Sequence, residues 1–146
     1  MSTLVETLND PIAMRAVISD SANLVESEVA KRGGLSGMAL KAGYKTVKAI
    51  KPGIIHDALR SLLPEFAPAI DPHFAKARES GDVQAYFRRE SGPIADALLG
   101  VTDARAERAK NRVMKKVYGK LRGQARGQVE QSLPGLADLI ERHVPE

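Results

Sequence analysis

Few side chains in this sequence stand at the spacings that catalysis or metal binding requires. The three histidines, His56, His73 and His143, have no second histidine or cysteine at a ligand spacing, and the chain contains no cysteine. His56 and Asp57 are neighbours, so on a helix their side chains diverge by about 100° and form no aligned dyad. The glycine-rich segment 33–41 lacks the spacing of a phosphate-binding loop. We therefore predict no catalytic residue, no metal and no cofactor, although an enzyme with an unrecognised site stays a third alternative.

The chemistry that the sequence does indicate is anion binding, by a row of cations in residues 104–128. This block contains nine lysines and arginines and a single acid, Glu107. On a helical wheel, six of these cations lie side by side next to an apolar face centred on Met114. Like charges at such spacings repel one another, which favours an anionic neighbour: the acidic parts of the same fold, an acidic protein, a membrane surface or a nucleic-acid backbone. The predicted anion-binding ridge consists of Arg105, Arg108, Arg112, Lys115, Arg122 and Arg126.

A second basic block, residues 31–51, contains six lysines and arginines and no acid. Lys41, Lys45 and Lys48 fall on one side of a helix, and we add them to the candidate residues for binding an anionic partner. The two blocks hold 15 of the 22 basic residues, so the rest of the chain is net acidic. The acidic segments of the same fold are therefore competitors for these cations.

Three glycines, Gly119, Gly123 and Gly127, recur every four residues within the predicted long helix. Glycine destabilises a helix by about 1 kcal/mol relative to alanine, so a row of them needs a reason. The plainer interpretation is that the helix kinks or ends near here; the alternative is close approach by another helix or another subunit.

These residues lead to three functional hypotheses. The first is a non-enzymatic helical interaction domain that binds an acidic protein partner, or a second copy of itself, through the basic ridge. The second is sequence-independent nucleic-acid binding through the same ridge, because arginine forks suit phosphate as well as carboxylate. The third is the enzyme with an unrecognised site.

The elements that must position these residues are helical throughout. Apolar residues recur at helical spacing, and helix-capping pairs such as Asp10-Pro11 precede them. No segment shows the alternation of a strand. We predict an all-α fold, an irregular bundle of six to eight helices, with one long helix over about 102–131 that begins at a Thr102 or Asp103 cap.

The chain is predicted to form a single helical domain, residues 1–146. Pro64, Pro68 and Pro72 interrupt its middle, and because an interior proline costs a helix about 3 kcal/mol, we predict short turns and a hinge over 64–72. The first residues lack the basic start of a signal peptide, and no apolar run is long enough to span a bilayer. These features favour a cytoplasmic protein without a transmembrane segment.

Three segments carry a family resemblance: LLPEFAPAIDP (62–72), LLGVTDARAERAKNRV (98–113) and YGKLRGQAR (118–126). In these motifs the chain resembles a family of small all-helical bacterial proteins of unknown function, of an actinobacterial type. The resemblance covers most of the chain from about Lys51 onward. It implies a stand-alone cytosolic helical domain, and it implies no activity, cofactor or ligand.

Overall fold

A computed structural model describes residues 2–146, and this part of the chain forms seven helices and no strand. The all-α prediction is therefore confirmed, as is the number of helices. In chain order they are α1 (Leu4–Leu8), α2 (Pro11–Lys31), α3 (Gly34–Lys48), α4 (Ile54–Ser80), α5 (Val83–Arg89), α6 (Ser91–Arg108) and α7 (Arg112–His143).

Side-chain caps begin several of these helices at the places that local chemistry favours. The Asp10 carboxylate accepts a hydrogen bond from the backbone N–H of Ile12, with Pro11 at the first helical position. Asp82 caps α5 in the same way. Gly81 ends α4 in the left-handed conformation, at φ 85°, which glycine adopts without a steric penalty.

The long helix of the C-terminal half exists, but its predicted bounds are wrong. Residues 102–108 belong to α6, and the helix breaks at 109–111 before α7 begins. Asn111 adopts an extended backbone, and its side chain accepts a hydrogen bond from the N–H of Met114, which caps a new helix. Thr102 and Asp103 cap nothing, because both lie inside α6.

The short turns predicted over 64–72 are also wrong, because α4 continues through all three prolines. Their spacing of four residues places Pro64, Pro68 and Pro72 on one face, and that face is exposed. The carbonyls that lose their helical partners therefore meet water, and a long helix readily curves with its convex side toward solvent. A hinge motion at this segment, like the single-domain organisation, stays a prediction.

The buried core lies at one end of the bundle. Its main cluster joins α1, the second half of α4, α5, the start of α6 and the end of α7 around Phe74, Phe87 and Ile94. A smaller cluster joins α2 to α4 and α7. At the other end, α3 buries only Gly37, and the first two-thirds of α7 buries nothing before Leu133. This second end carries the candidate site.

Candidate functional site

The predicted basic ridge is divided between two antiparallel helices. Arg105 and Arg108 lie near the end of α6, and the other four cations lie on α7. Contacts between the two helices run in opposite directions along the chain, since Asp96 of α6 meets a later residue of α7 than Asp103 does. The ridge is therefore not one continuous row, and its prediction as a single helix face is wrong.

Two arginines of α7 are held by carboxylates of α6. The Arg122 guanidinium donates to both carboxylate oxygens of Asp103, at 2.8 and 3.0 Å. Arg126 donates to both oxygens of Asp96, at 2.8 and 3.3 Å. The hydrogen bond from Arg122 lowers the pKa of Asp103, and that from Arg126 lowers the pKa of Asp96. These forks bind carboxylates, as arginine chemistry predicts, but the carboxylates belong to the same chain.

Glu65 of α4 holds the two α6 arginines of the predicted ridge. Its carboxylate accepts from Arg105 at 2.8 Å and from Arg108 at 3.0 Å, and Arg105 also donates to the Ser61 hydroxyl at 2.5 Å. One acid therefore serves two cations, so this corner of the molecule keeps a positive excess.

The remaining predicted cations are mostly free. In residues 2–146, Arg112, Lys115, Lys41 and Lys45 make no ion pair, and all four are exposed. Lys48 differs, because its ammonium lies 3.5 Å from a Glu26 carboxylate oxygen and 5.1 Å from the centre of the Tyr44 ring.

The fold brings the two basic blocks together by packing α3 against α7. Gly43 makes this contact possible, since a Cβ there would lie 2.9 Å from Leu121 and 3.0 Å from Val117. Gln124 of α7 also donates to the backbone carbonyl of Ser36, at 2.8 Å. The pairing joins two helical segments that lack acids altogether, residues 34–48 and 108–129.

Sequence reasoning missed two cations of this surface. Lys116 and Lys120 of α7 are exposed, and neither makes an ion pair within the described chain. They fell outside the predicted ridge because they lie on another side of the helical wheel. The absence of any acid over 108–129 was the signal that could have found them.

We use the name α3–α7 face for the exposed side chains of these two helices; on α3, Lys41 and Lys45 lie on the side opposite Gly43, which contacts α7. This face also exposes large apolar side chains: Leu35 is 86% exposed and Met38 67% exposed. These two side chains lie one helical turn apart on α3. Its cations are Lys41, Lys45, Arg112, Lys116 and Lys120.

The three glycines of α7 make no close helix contact within the chain. Beside Gly119, Gly123 and Gly127, a Cβ would meet no described atom within 4 Å. The helix does not end at these glycines, because α7 continues to His143. A kink at this point stays a prediction. Close approach by a second copy stays a prediction.

Next to the α3–α7 face, an open groove of about 670 Å³ lies between α4, α6 and α7. Its floor is apolar, with Leu62, Met114, Val117 and Leu121 all half-buried. At one end the Tyr118 hydroxyl donates to Asp103 at 2.5 Å and lies 2.8 Å from the Thr102 hydroxyl. The cations of its rim are Arg105, Arg108, Lys110 and Lys115.

The structure gives the surroundings of two of the three histidines. His143 lies 2.6 Å from the Asp20 carboxylate, which joins α7 to α2. Burial lowers the pKa of His73. No group of three histidine, aspartate or glutamate side chains in residues 2–146 is arranged to hold a metal ion.

Comparison with known proteins identifies the family of this chain. Within the described residues, no helix is both long enough and apolar enough to cross a bilayer. No curated protein and no solved structure matches the chain. A family of unknown function (DUF6918) matches residues 4–144, and the chain therefore belongs to this family.

Proposed function

We propose that this protein is a non-enzymatic helical interaction domain that binds an acidic protein partner through the α3–α7 face. One observation carries the proposal: two adjacent segments without a single acid present seven exposed cations that make no ion pair in the described chain, and five of them lie outside the lining of the groove. Elsewhere the arginines of the predicted ridge already have carboxylate partners. The binding surface therefore keeps Lys41, Lys45 and Arg112 of the predicted set and gains Lys116 and Lys120.

The apolar side chains on this face favour a protein partner over a nucleic acid. Leu35 and Met38 need apolar groups opposite them, which an acidic amphipathic segment provides and a phosphate backbone does not. The tyrosines of these two helices are engaged within the fold, the Tyr44 hydroxyl with Glu26 and the Tyr118 hydroxyl with Asp103, both at 2.5 Å, so neither is a free platform for base stacking. Nucleic-acid binding is the alternative. A cytoplasmic location and a bacterial, actinobacterial-type origin stay predictions.

Charge reversal on the face tests the proposal. The variant Lys41→Glu/Lys45→Glu/Lys116→Glu is compared with Arg15→Glu/Lys76→Glu/Arg88→Glu, which changes the net charge equally at exposed cations without ion pairs on other helices. The probes are a fluorescent amphipathic peptide of glutamate and leucine, and a labelled DNA duplex, at ~50 mM salt.

We expect the peptide to bind the unaltered protein and the control triple, and to lose at least tenfold in affinity for the face triple. Duplex binding with a salt slope of about −0.9 per phosphate contact, and no peptide binding, would establish the alternative instead. Equal peptide affinity for the two triples would refute the α3–α7 face as the binding surface.

A further inference from the structure

The end of the molecule that carries the groove has no apolar core of its own. Large apolar residues of α3, α4 and α7 line the groove, yet none of them belongs to either buried cluster. Protein interiors are close-packed, and cavities larger than a few water molecules are uncommon and costly. A groove of about 670 Å³ is within the range of small-molecule sites, which span about 300–1,000 Å³.

The walls of the groove are apolar over most of its length. Leu62 projects from α4, Met114 and Leu121 from α7, and Val47 and Ile54 close the side formed by α3 and the start of α4. Ala58 and Ala106 keep the space open, because larger side chains at these lining positions would fill it. A ligand with an extended hydrocarbon part would therefore supply the apolar contacts that this end of the fold lacks.

The positive charge at the mouth of the groove favours an anionic head group on such a ligand. Lys110 and Lys115 are exposed lining residues that make no ion pair within residues 2–146. The three acids nearby are already engaged with cations, and Asp103 holds Arg122 at 2.8 Å. Asp57 meets Lys51 at 3.0 Å and Arg60 at 3.1 Å, and Glu65 holds the two arginines of α6. The mouth therefore has a positive excess that attracts an anion.

We propose that the groove binds a long-chain fatty carboxylate, with the hydrocarbon chain along the apolar floor and the carboxylate at Lys110 and Lys115. The two requirements meet in one molecule, because the apolar floor and the cationic mouth belong to the same cavity. This binding goes beyond the proposed interaction with a protein partner and needs none of the cations of the α3–α7 face. The loss of one function leaves the other intact.

A fluorescent fatty acid, cis-parinaric acid, tests the proposal at concentrations where it is monomeric. We expect its fluorescence to rise on binding, oleate to displace it, and oleyl alcohol to displace it at least tenfold less well. Saturating oleate should also raise the midpoint of thermal unfolding, because a ligand that binds only the folded state stabilises it.

Variants then place the ligand in the groove. Ala106→Phe fills the lining and should reduce parinarate affinity at least tenfold, whereas Ala104→Phe, exposed on the same helix outside the lining, should not. Ala58→Phe blocks the groove from the opposite wall, so it serves if Ala106→Phe fails to fold.

The head-group contact has its own pair of variants. Lys110→Gln/Lys115→Gln should weaken oleate several-fold and leave oleyl alcohol unchanged, and Lys120→Gln, outside the lining, should change neither. The proposal is overturned by no parinarate binding, by equal binding to Ala106→Phe and Ala104→Phe, or by equal affinity for oleate and oleyl alcohol. Binding that follows the charge of the α3–α7 face instead would assign the fatty acid to the outer surface and also overturn it.

Discussion

Replacing Arg32 with methionine should destabilise the protein more than any other single loss of an arginine. Arg32 is only 8% exposed and lies where α2 ends. Its guanidinium donates to the Glu28 carboxylate at 3.1 Å, to the Gln128 side chain at 2.7 Å and to the Ser132 hydroxyl at 2.8 Å. It also donates to the Gln128 backbone carbonyl, at 3.2 Å. These bonds join α2 to the middle of α7.

The expected loss is about 3 kcal/mol of the free energy of unfolding. Removing one partner of a buried ion pair costs about 3–5 kcal/mol, because the other charge stays buried without its partner. The lower end of this range applies to Arg32→Met, because the Glu28 carboxylate keeps its second cation, Lys31, at 2.9 Å. Burial by itself would raise the pKa of Glu28, but hydrogen bonds from Lys31 and Arg32 outweigh it and lower that pKa.

Urea unfolding followed by circular dichroism measures the change, with Arg142→Met as the matched control. Arg142 is also an arginine with two carboxylate neighbours, Asp20 and Asp138, but it is half-exposed, so its loss should cost at most about 1 kcal/mol. Adding Glu28→Gln to Arg32→Met should recover part of the loss, because it removes the orphaned charge. Equal losses for Arg32→Met and Arg142→Met would show that the buried cluster does not hold α2 to α7.

Three further predictions concern glycines, a cap and pH. Gly123→Ala should stabilise the protein by up to about 1 kcal/mol, because the helical position is open, whereas Gly37→Ala should destabilise it, since its Cβ would lie 2.6 Å from a backbone carbon; thermal unfolding separates the two. Asp71→Ala should cost about 1–2 kcal/mol and detach α1, because the carboxylate accepts from the backbone N–H of Leu4 at 2.7 Å, and amide exchange at the first helix reports this. The pKa of Asp103 is lower in the folded chain than its ordinary value of 3.8. The contribution of this carboxylate to the free energy of unfolding is therefore present above pH 3.8 and is lost as the pH falls through the folded pKa. Urea titrations from pH 7 to acid should show the free energy of unfolding declining below about pH 4, less steeply in Asp103→Asn.

Local chemistry in the sequence was enough for the fold class and for several helix ends. Helical periodicity and caps such as Asp10 act within a few residues, so the all-α class followed from them. The same local rules failed at Pro64, Pro68 and Pro72, because the cost of a proline depends on whether the freed carbonyls face water. They failed also at Asn111, where a cap competes with continuing the helix.

The sequence by itself determined that two segments without acids, 31–51 and 108–129, carry a large share of the positive charge. Only the tertiary structure decided which of those cations remain available. Ion pairs such as Arg122 with Asp103 and Arg105 with Glu65 join residues 19 and 40 positions apart, and the helix wheel of one segment contains no information about them. Charge composition is a property of the chain, whereas neutralisation depends on distances of a few ångströms between helices that meet only after folding.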